Sequence, residues 1–415
     1  MRRILLFIFL LLLVGTGVWY FFIRTNTASD TNPITSVFES FFPGTGTSGD
    51  TTLDGIIPDG TNNPETNNTN RFTQISTRPI AGYSVFALTN TLTIPNPDPT
   101  LKPIITTIVD HYVRYVARNN GYVYEIKNDS PSTQVSNILI PNIYEAVFSN
   151  NNTVALLRFL KPDNQTIATY SVPIPALNTD GTRTQTNGTY LTDNIDSLAM
   201  SPDSLFVGRL TKDSTGALIS TTTTTNTTKR DLLRTPFTEW LLMWPIQNAV
   251  YVQTKAAATV AGYLYRVDSV AGRLRRVVGD VAGLTTSISP NAEYVLYSES
   301  VQNSFVTRLF NTKAGTTSNI SLKILPEKCV WYTNNDLLCA GSNDITEGVY
   351  PDSWYAGLTH FEDQLYRIDT KSNTYSVVFD GTDRSFDMTQ LKLDEGQNLL
   401  YFIDKTTGLL WKFAL

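Results

Sequence analysis

Cysteine and histidine are almost missing: two of each in 415 residues. That excludes His-rich metal cages, four-cysteine zinc sites and a multi-bridge disulfide scaffold. Charge is sparse too, at 17% of residues against the ~25% usual in soluble chains. A coiled coil or a charge-rich disordered chain does not fit that figure. With 32 basic and 37 acidic side chains the net charge is −5, so there is no broad basic field for a nucleic-acid backbone. No G-x-S-x-G, H-E-x-x-H, Walker loop or dinucleotide fingerprint occurs. His111 and His360 stand alone in separate segments. No catalytic residue, metal or cofactor is therefore assigned. The carboxylate pairs Glu362/Asp363 and Asp394/Glu395 are adjacent, and on a strand such neighbours point to opposite faces. Glycoside hydrolysis needs carboxylates that face each other, which only residues from distant segments would supply.

One long apolar run stands out. Ile4 to Ile23 is 20 residues without a charge, preceded by Arg2 and Arg3 and closed by Arg24. A helix of that length spans ~30 Å, the thickness of a bilayer core. Trp19 and Tyr20 fall near its far end, where amphipathic rings favour the headgroups. The competing reading is a cleaved signal peptide, whose apolar region usually runs ~7–15 residues. Residues 1–24 are thus expected to be a retained single-pass anchor whose partner is the lipid bilayer. No Lys or Arg follows Arg24 until Arg71. The positive-inside bias then puts the N-terminus in the cytoplasm and the rest outside. Residues 25–70 carry six acids and no base, with Gly, Pro, Asn and Thr throughout. Such a stretch cannot bury enough apolar surface to order itself, and a flexible linker is expected. Within it, PITSVFESFF (33–42) reads as a short amphipathic helix or a locally sticky patch.

The remaining residues repeat. An apolar strand ending in a small polar turn recurs at FALTN, AVFSNN, LAMSPD, LLMWPI, TSISPN, CVWYTNN and LKLDEG. Aligned on Thr89, Ser149, Ser201, Trp244, Ser289, Tyr332 and Asp394, the spacings are 60, 52, 43, 45, 43 and 62. Three of the six match the ~40–45 residues of a four-stranded propeller blade; the longer ones predict inserted loops. Second and third strands such as EYVLYSES and GYLYRVD follow each turn, rich in the Tyr, Val and Leu that strands favour. The seventh unit stops at its third strand, while an unmatched strand, RFTQIST (71–77), precedes the first. Residues 71–415 are therefore expected to form an all-β, seven-bladed propeller, closed by the N-terminal strand in the last blade. Closure removes the edges an open array would expose.

The turns Ser201-Pro202-Asp203 and Ser289-Pro290-Asn291, with LYRVD and LYRID in later strands, resemble the TolB-type (PD40-like, WD40-like in architecture) β-propeller repeats. The resemblance spans 71–415 and implies a propeller, not a function, since propellers host many functions. The long sixth unit with PDSWYAG also looks like membrane-anchored, uncharacterised envelope propellers of small-genome bacteria.

Candidate sites follow from the loops. Cys329 and Cys339 flank WYTNNDLL, and a hairpin centred on Asn334 sets them opposite each other, within disulfide reach. The alternative is two buried apolar thiols. The insertion 341–360 brings Tyr350, Asp352, Trp354 and Tyr355 together as a candidate ligand-binding surface; the competing reading has Trp354 packing the loop onto its blade. Arg266, Arg273, Arg275 and Arg276, with Lys229, Arg230 and Arg234, read as a solvated outer-strand set spread over both faces by strand alternation; the competing reading is a basic patch toward acidic surface polymers or lipid headgroups. NTDGT (178–182) and DGTD (380–383) lack the full calcium-loop pattern and read as turns, and TTTTTNTT (221–228) as a disordered loop. The overall expectation is a non-enzymatic binding or assembly platform in the cell envelope, with a protein or glycan partner and no nucleic acid. The alternatives are an enzyme acting on surface polysaccharide and an accessory subunit of a secretion or pilus-like machine.

Overall fold

The computed structural model describes residues 71–415 except 98–100, 179–181, 185–186, 269–272, 343 and 383. The expected anchor and linker lie outside the described residues. The described residues open with β1 (Phe72–Gln74) and then lay down blade after blade. Blade 1 is β2 (Ile80–Ile94), β3 (Ile104–Ala117), β4 (Val123–Lys127) and β5 (Thr133–Gln134). Blade 2 is β6 (Ile143–Phe148), β7 (Val154–Leu160), β8 (Ile167–Pro173) and β9 (Thr189–Tyr190). Blade 3 is β10 (Ile195–Met200), β11 (Phe206–Asp213), β12 (Gly216–Thr223) and β13 (Lys229–Thr235). Blade 4 is β14 (Trp240–Ile246), β15 (Ala249–Thr254), β16 (Ala261–Asp268) and β17 (Leu274–Ala282). Blade 5 is β18 (Thr285–Ile288), β19 (Tyr294–Val301), β20 (Ser304–Asn311) and β21 (Thr316–Ile320). Blade 6 is β22 (Cys329–Trp331), β23 (Asp336–Gly341), β24 (Gln364–Asp369) and β25 (Thr374–Phe379). Blade 7 is β26 (Met388–Asp394), β27 (Leu399–Asp404) and β28 (Leu410–Ala414), completed by β1.

Each of the seven sheets is a four-stranded antiparallel meander. First strands pack on first strands, β2 against β6 and β10 against β14, and β2 also meets β26, which closes the ring. Gly82 lies where β2 approaches blade 2; a Cβ there would meet the Ala146 carbonyl oxygen at 2.0 Å. Closure runs through β1, whose Phe72, Thr73 and Gln74 pair with Phe413, Lys412 and Trp411. The Phe72 ring lies 4.6 Å from Phe413 and 5.0 Å from both Phe379 and Phe386, so blades 6 and 7 share one aromatic core.

Three of the small polar turns that mark the repeat share one device. Ser149, Ser201 and Ser289 are buried. Each hydroxyl accepts from the first N–H of the second strand, of Val154, Phe206 and Tyr294, at 2.9–3.0 Å. Each also donates to the Asn or Asp two residues on, at 2.6–2.8 Å. The residue closing the turn takes positive φ in all three, at Asn152, Ser204 and Ala292. The motif is thus a hairpin made by a side chain standing in for a backbone acceptor.

Three readings of the sequence change. The extra residues of blade 1 continue β2 and β3 as a two-stranded ribbon rather than an inserted loop. TTTTTNTT is ordered: Thr221–Thr223 finish β12, and the Thr223 hydroxyl bonds Thr225 and Thr227 in the turn to β13. Its alternate threonines suit a strand, which composition alone concealed. The apolar stretch QVSNILI (134–140), which reads in the sequence as the fourth strand of the first unit, contributes only Gln134 to β5.

In an antiparallel meander the first strand starts on the face where the second ends, the third starts and the fourth ends. We call this the entry face and its opposite the exit face.

Candidate functional site

The insertion between β23 and β24 folds over the entry face of blade 6. It contains one helical turn, α1 (Asp352–Tyr355). Tyr350 and Trp354 are buried, at 1% and 4% exposure. They join Phe305, Leu325 and Phe361 in a small core of their own. The Trp354 indole N–H donates to Asp387 Oδ2 at 2.9 Å, and the Lys405 ammonium donates to the Trp354 carbonyl at 2.8 Å. Lys328 lies beneath, completely buried, 2.8 Å from Asp363 and 2.5 Å from Asp387. Its ammonium also faces the rings of Trp354 and Phe361 at 5.3 and 4.9 Å. Burial pushes the Asp363 carboxyl up to about 6, with Lys328 opposing the shift. Trp354 therefore caps an ion cluster and presents nothing to a ligand. Tyr355 is half exposed, with its hydroxyl on Glu327.

Asp352 reaches elsewhere. Its Oδ2 accepts from the Ala258 N–H at 2.7 Å, in the loop between β15 and β16. That loop is also held by the Gly283 N–H on the Ala257 carbonyl, 3.0 Å. It forms one wall of a groove of about 700 Å³ that runs from the entry face down the flank of blade 4. A chain of rings lines it: Phe237 and Trp240 are 4.8 Å apart, Trp240 and Tyr265 5.9 Å, and Tyr265 and Tyr263 6.1 Å. Tyr263 and Tyr265 share a side of β16 because strand side chains alternate. Val260 and Leu274 add exposed aliphatic surface at 59% and 42%.

Charge is confined to one end. Lys212 and Lys255 each contact both Asp196 and Glu239, at 2.7–3.3 Å. Hydrogen bonds from Lys212 and then Lys255 hold the Glu239 carboxyl down at about 2. The quartet is neutral and interlocked, so the groove is an aromatic trough with a fixed polar stop. Arg276 stands opposite Tyr265 in register, while Arg275 pairs with Arg266 on the other side of the sheet. The basic residues are thus divided between two faces.

The sequence reading passed over this groove, although GYLYRVD carried its signal. Two tyrosines at i and i+2 in a third strand, just after Phe237-x-x-Trp240, mark an aromatic stripe with little polar cover.

The cysteines sit opposite each other in β22 and β23, joined by a disulfide with S–S 2.11 Å. Closing so short a loop contributes roughly 3 kcal/mol in the chain-entropy account. Some carboxylates elsewhere are tied to cations, Glu125 to Arg114 and Arg183 and Asp110 to Lys127, while Asp394 pairs with Nδ1 of His111. Among the described residues no group of three or more His, Cys, Asp or Glu side chains is arranged to hold a metal ion.

No family model matches the chain, and no curated protein matches it. Solved structures similar to it include TolB from Acinetobacter baumannii, 8% identical over 71% of this chain and 78% of that one, TM-score 0.42. The β-propeller domain of Cps50 (Swd1) from Myceliophteria thermophila is 8% identical over 83% and 99%, TM-score 0.48. An oligogalacturonate lyase in complex with manganese is 11% identical over 74% and 86%, TM-score 0.47. Identities this low speak to fold alone, and the blade count rests on the sheet pairing. The chain is a seven-bladed β-propeller, with TolB among the structures it is similar to.

Proposed function

We propose that the protein is a non-enzymatic binding platform of the cell envelope, held by residues 1–24 in the membrane with residues 25–70 as a tether and the propeller outside the cytoplasm. The aromatic groove of blade 4 is its recognition surface. The observation that carries this is the four-ring lining beside exposed Val260 and Leu274. Trp and Tyr in a preformed trough are the residues that dominate binding energy at interfaces. The occupant that suits it is an extended segment of an envelope protein, its apolar side chains on the rings and a polar group at the Lys255–Glu239 stop. A subunit of a secretion or pilus-like machine is one such partner. The polysaccharide-cleaving alternative needs two facing carboxylates in an open site, whereas Glu125 is bound to Arg183, buried Asp363 and Asp387 are both bound to Lys328, and Asp394 pairs with the His111 ring.

The test is p-benzoylphenylalanine at Val260 in cells producing the full chain. Irradiation should give a protease-sensitive adduct with an envelope component, lost when Tyr263 and Tyr265 are both changed to Ala. Each single Tyr→Ala change should weaken binding of the partner about tenfold, the ~1–2 kcal/mol common for interface aromatics. No adduct, or one untouched by the double change, rejects the groove. A protease-resistant, glycosidase-sensitive adduct transfers it to a glycan.

A further inference from the structure

The blade 1 ribbon is unlike any other hairpin of the ring. Beyond Phe86 every residue of β2 through Ile94 is exposed, and in β3 from Ile104 to Val109 only Thr106 is half covered. Register places Leu88, Leu92 and Ile94 on one side with Ile104 and Ile108, interrupted there by Asn90 and Thr106. The other side carries Thr89, Thr91, Thr93 and Thr107 with Ile105 and Val109. Between Phe86 and Val109 the sequence holds just two charges, Asp98 and Lys102. A two-stranded ribbon wet on both faces is marginal in water, and an aliphatic face of this extent is a contact surface in waiting.

Its base is fixed. Asp110 accepts from Asn90 and Asn128, each at 2.8 Å, and pairs with Lys127. His111 Nδ1 meets Asp394 of blade 7 at 2.8 Å, and Phe86 stacks on Tyr112 at 5.1 Å. The ribbon is therefore held at a set angle on the exit face, where first strands turn into second strands.

The chain also arrives on that face. β1 is a fourth strand, so Arg71 lies at the exit side of blade 7, next to blade 1 in the ring. The apolar run Ile4–Ile23 ends 47 residues before it.

We propose that the aliphatic side of the ribbon, Leu88, Leu92, Ile94, Ile104 and Ile108, rests on a lipid bilayer surface. This rests on the membrane anchoring read above. The chain enters the propeller at Arg71 on this same exit face, and in this contact the ribbon lies in the headgroup–acyl boundary with its threonine side toward water. Polar Asn96 and Lys102 on either side of the turn suit lying along the interface rather than piercing it. The disc is thereby held with its entry face, and the mouth of the blade 4 groove, turned away from the membrane.

Both native cysteines are bonded to each other, so one added cysteine gives one free thiol for a spin label. Full-length protein carrying Leu92→Cys, Ile104→Cys, Thr91→Cys or Leu358→Cys is reconstituted in vesicles of neutral and anionic phospholipid. Leu358 is 80% exposed on the entry face and serves as the aqueous reference. Labels at 92 and 104 should show an oxygen-to-nickel-chelate accessibility ratio several-fold above that at 358, with 91 in between. Ratios at 92 and 104 equal to that at 358 overturn the proposal. Shielding of both from oxygen and nickel alike also overturns it and assigns the ribbon to a protein or a second copy. Alkaline carbonate washing of the same vesicles reads the anchor separately. Release of protein that had shown the lipid signature rejects the anchor alone, and retention without the signature rejects the ribbon contact alone.

Discussion

Lys392 shows how a single side chain couples to pH. It leans from β26 onto blade 1, donating to the Tyr83 carbonyl at 2.6 Å with its ammonium 5.0 Å from the Tyr83 ring. Burial pulls that ammonium down to about 8, below the ~10.4 of a free lysine. The unfolded chain then binds the extra proton between these values, so stability rises with pH across that window. Below pH 8 the folded state carries a cost of about 1–3 kcal/mol. Lys392→Met removes the titrating group and keeps the stem. Denaturant melts should show a more stable protein at pH 7 and a flat response from pH 8 to 10, where the parent climbs. An equal slope in both would reject the assignment.

At the level of the element, the insertion over blade 6 is a brace. Its large rings face inward to Lys328 and Asp387, and its one outward reach, from Asp352 to Ala258, steadies the wall of the groove in blade 4. Asp352→Ala should leave the ring folded and speed hydrogen exchange of the 256–260 amides, with exchange in the blade 6 strands unchanged. The sequence showed that the insertion existed and that it was aromatic. It did not show the direction of the rings, because Trp354 is aimed by Asp387, Lys328 and Lys405, whose carriers are 33, 26 and 51 residues away. The groove was missed for a related reason. Phe237, Trp240, Tyr263 and Tyr265 become a surface only when a loop and two strands of a blade close on one another. The ribbon was misread as a loop because the turn signal was placed at Thr89, and the alternation through TLTI and IITTIV was cut short.

For the whole molecule, the repeat is legible because blades 2, 3 and 5 share one local device, a serine hydroxyl standing in for a carbonyl at the first turn. That device needs six residues, Ser149 to Val154 in blade 2, and no distant partner. Ring closure was legible from a count, seven units lacking one strand with one strand to spare. Its strength lies in the aromatic cluster around Phe72. Phe72→Ala should lower stability by about 2–3 kcal/mol, less than the ~3–5 of a fully buried Phe, since Phe72 keeps partial exposure. Guanidinium melts should shift to lower midpoint, and protease should begin to cut near Ser76 before other sites. Unchanged melting would mean that β1 is an ornament on blade 7.

The pairing of Phe72 with Phe413 also sets a timetable. The first strand made must wait for nearly the last, 341 positions later. At ~5–20 residues per second of synthesis that is a delay of roughly 20–70 s. Through that interval the growing polypeptide exposes a bare edge, open to pairing with other chains. Ribosome stalling late in the message would leave an open crescent destined for degradation.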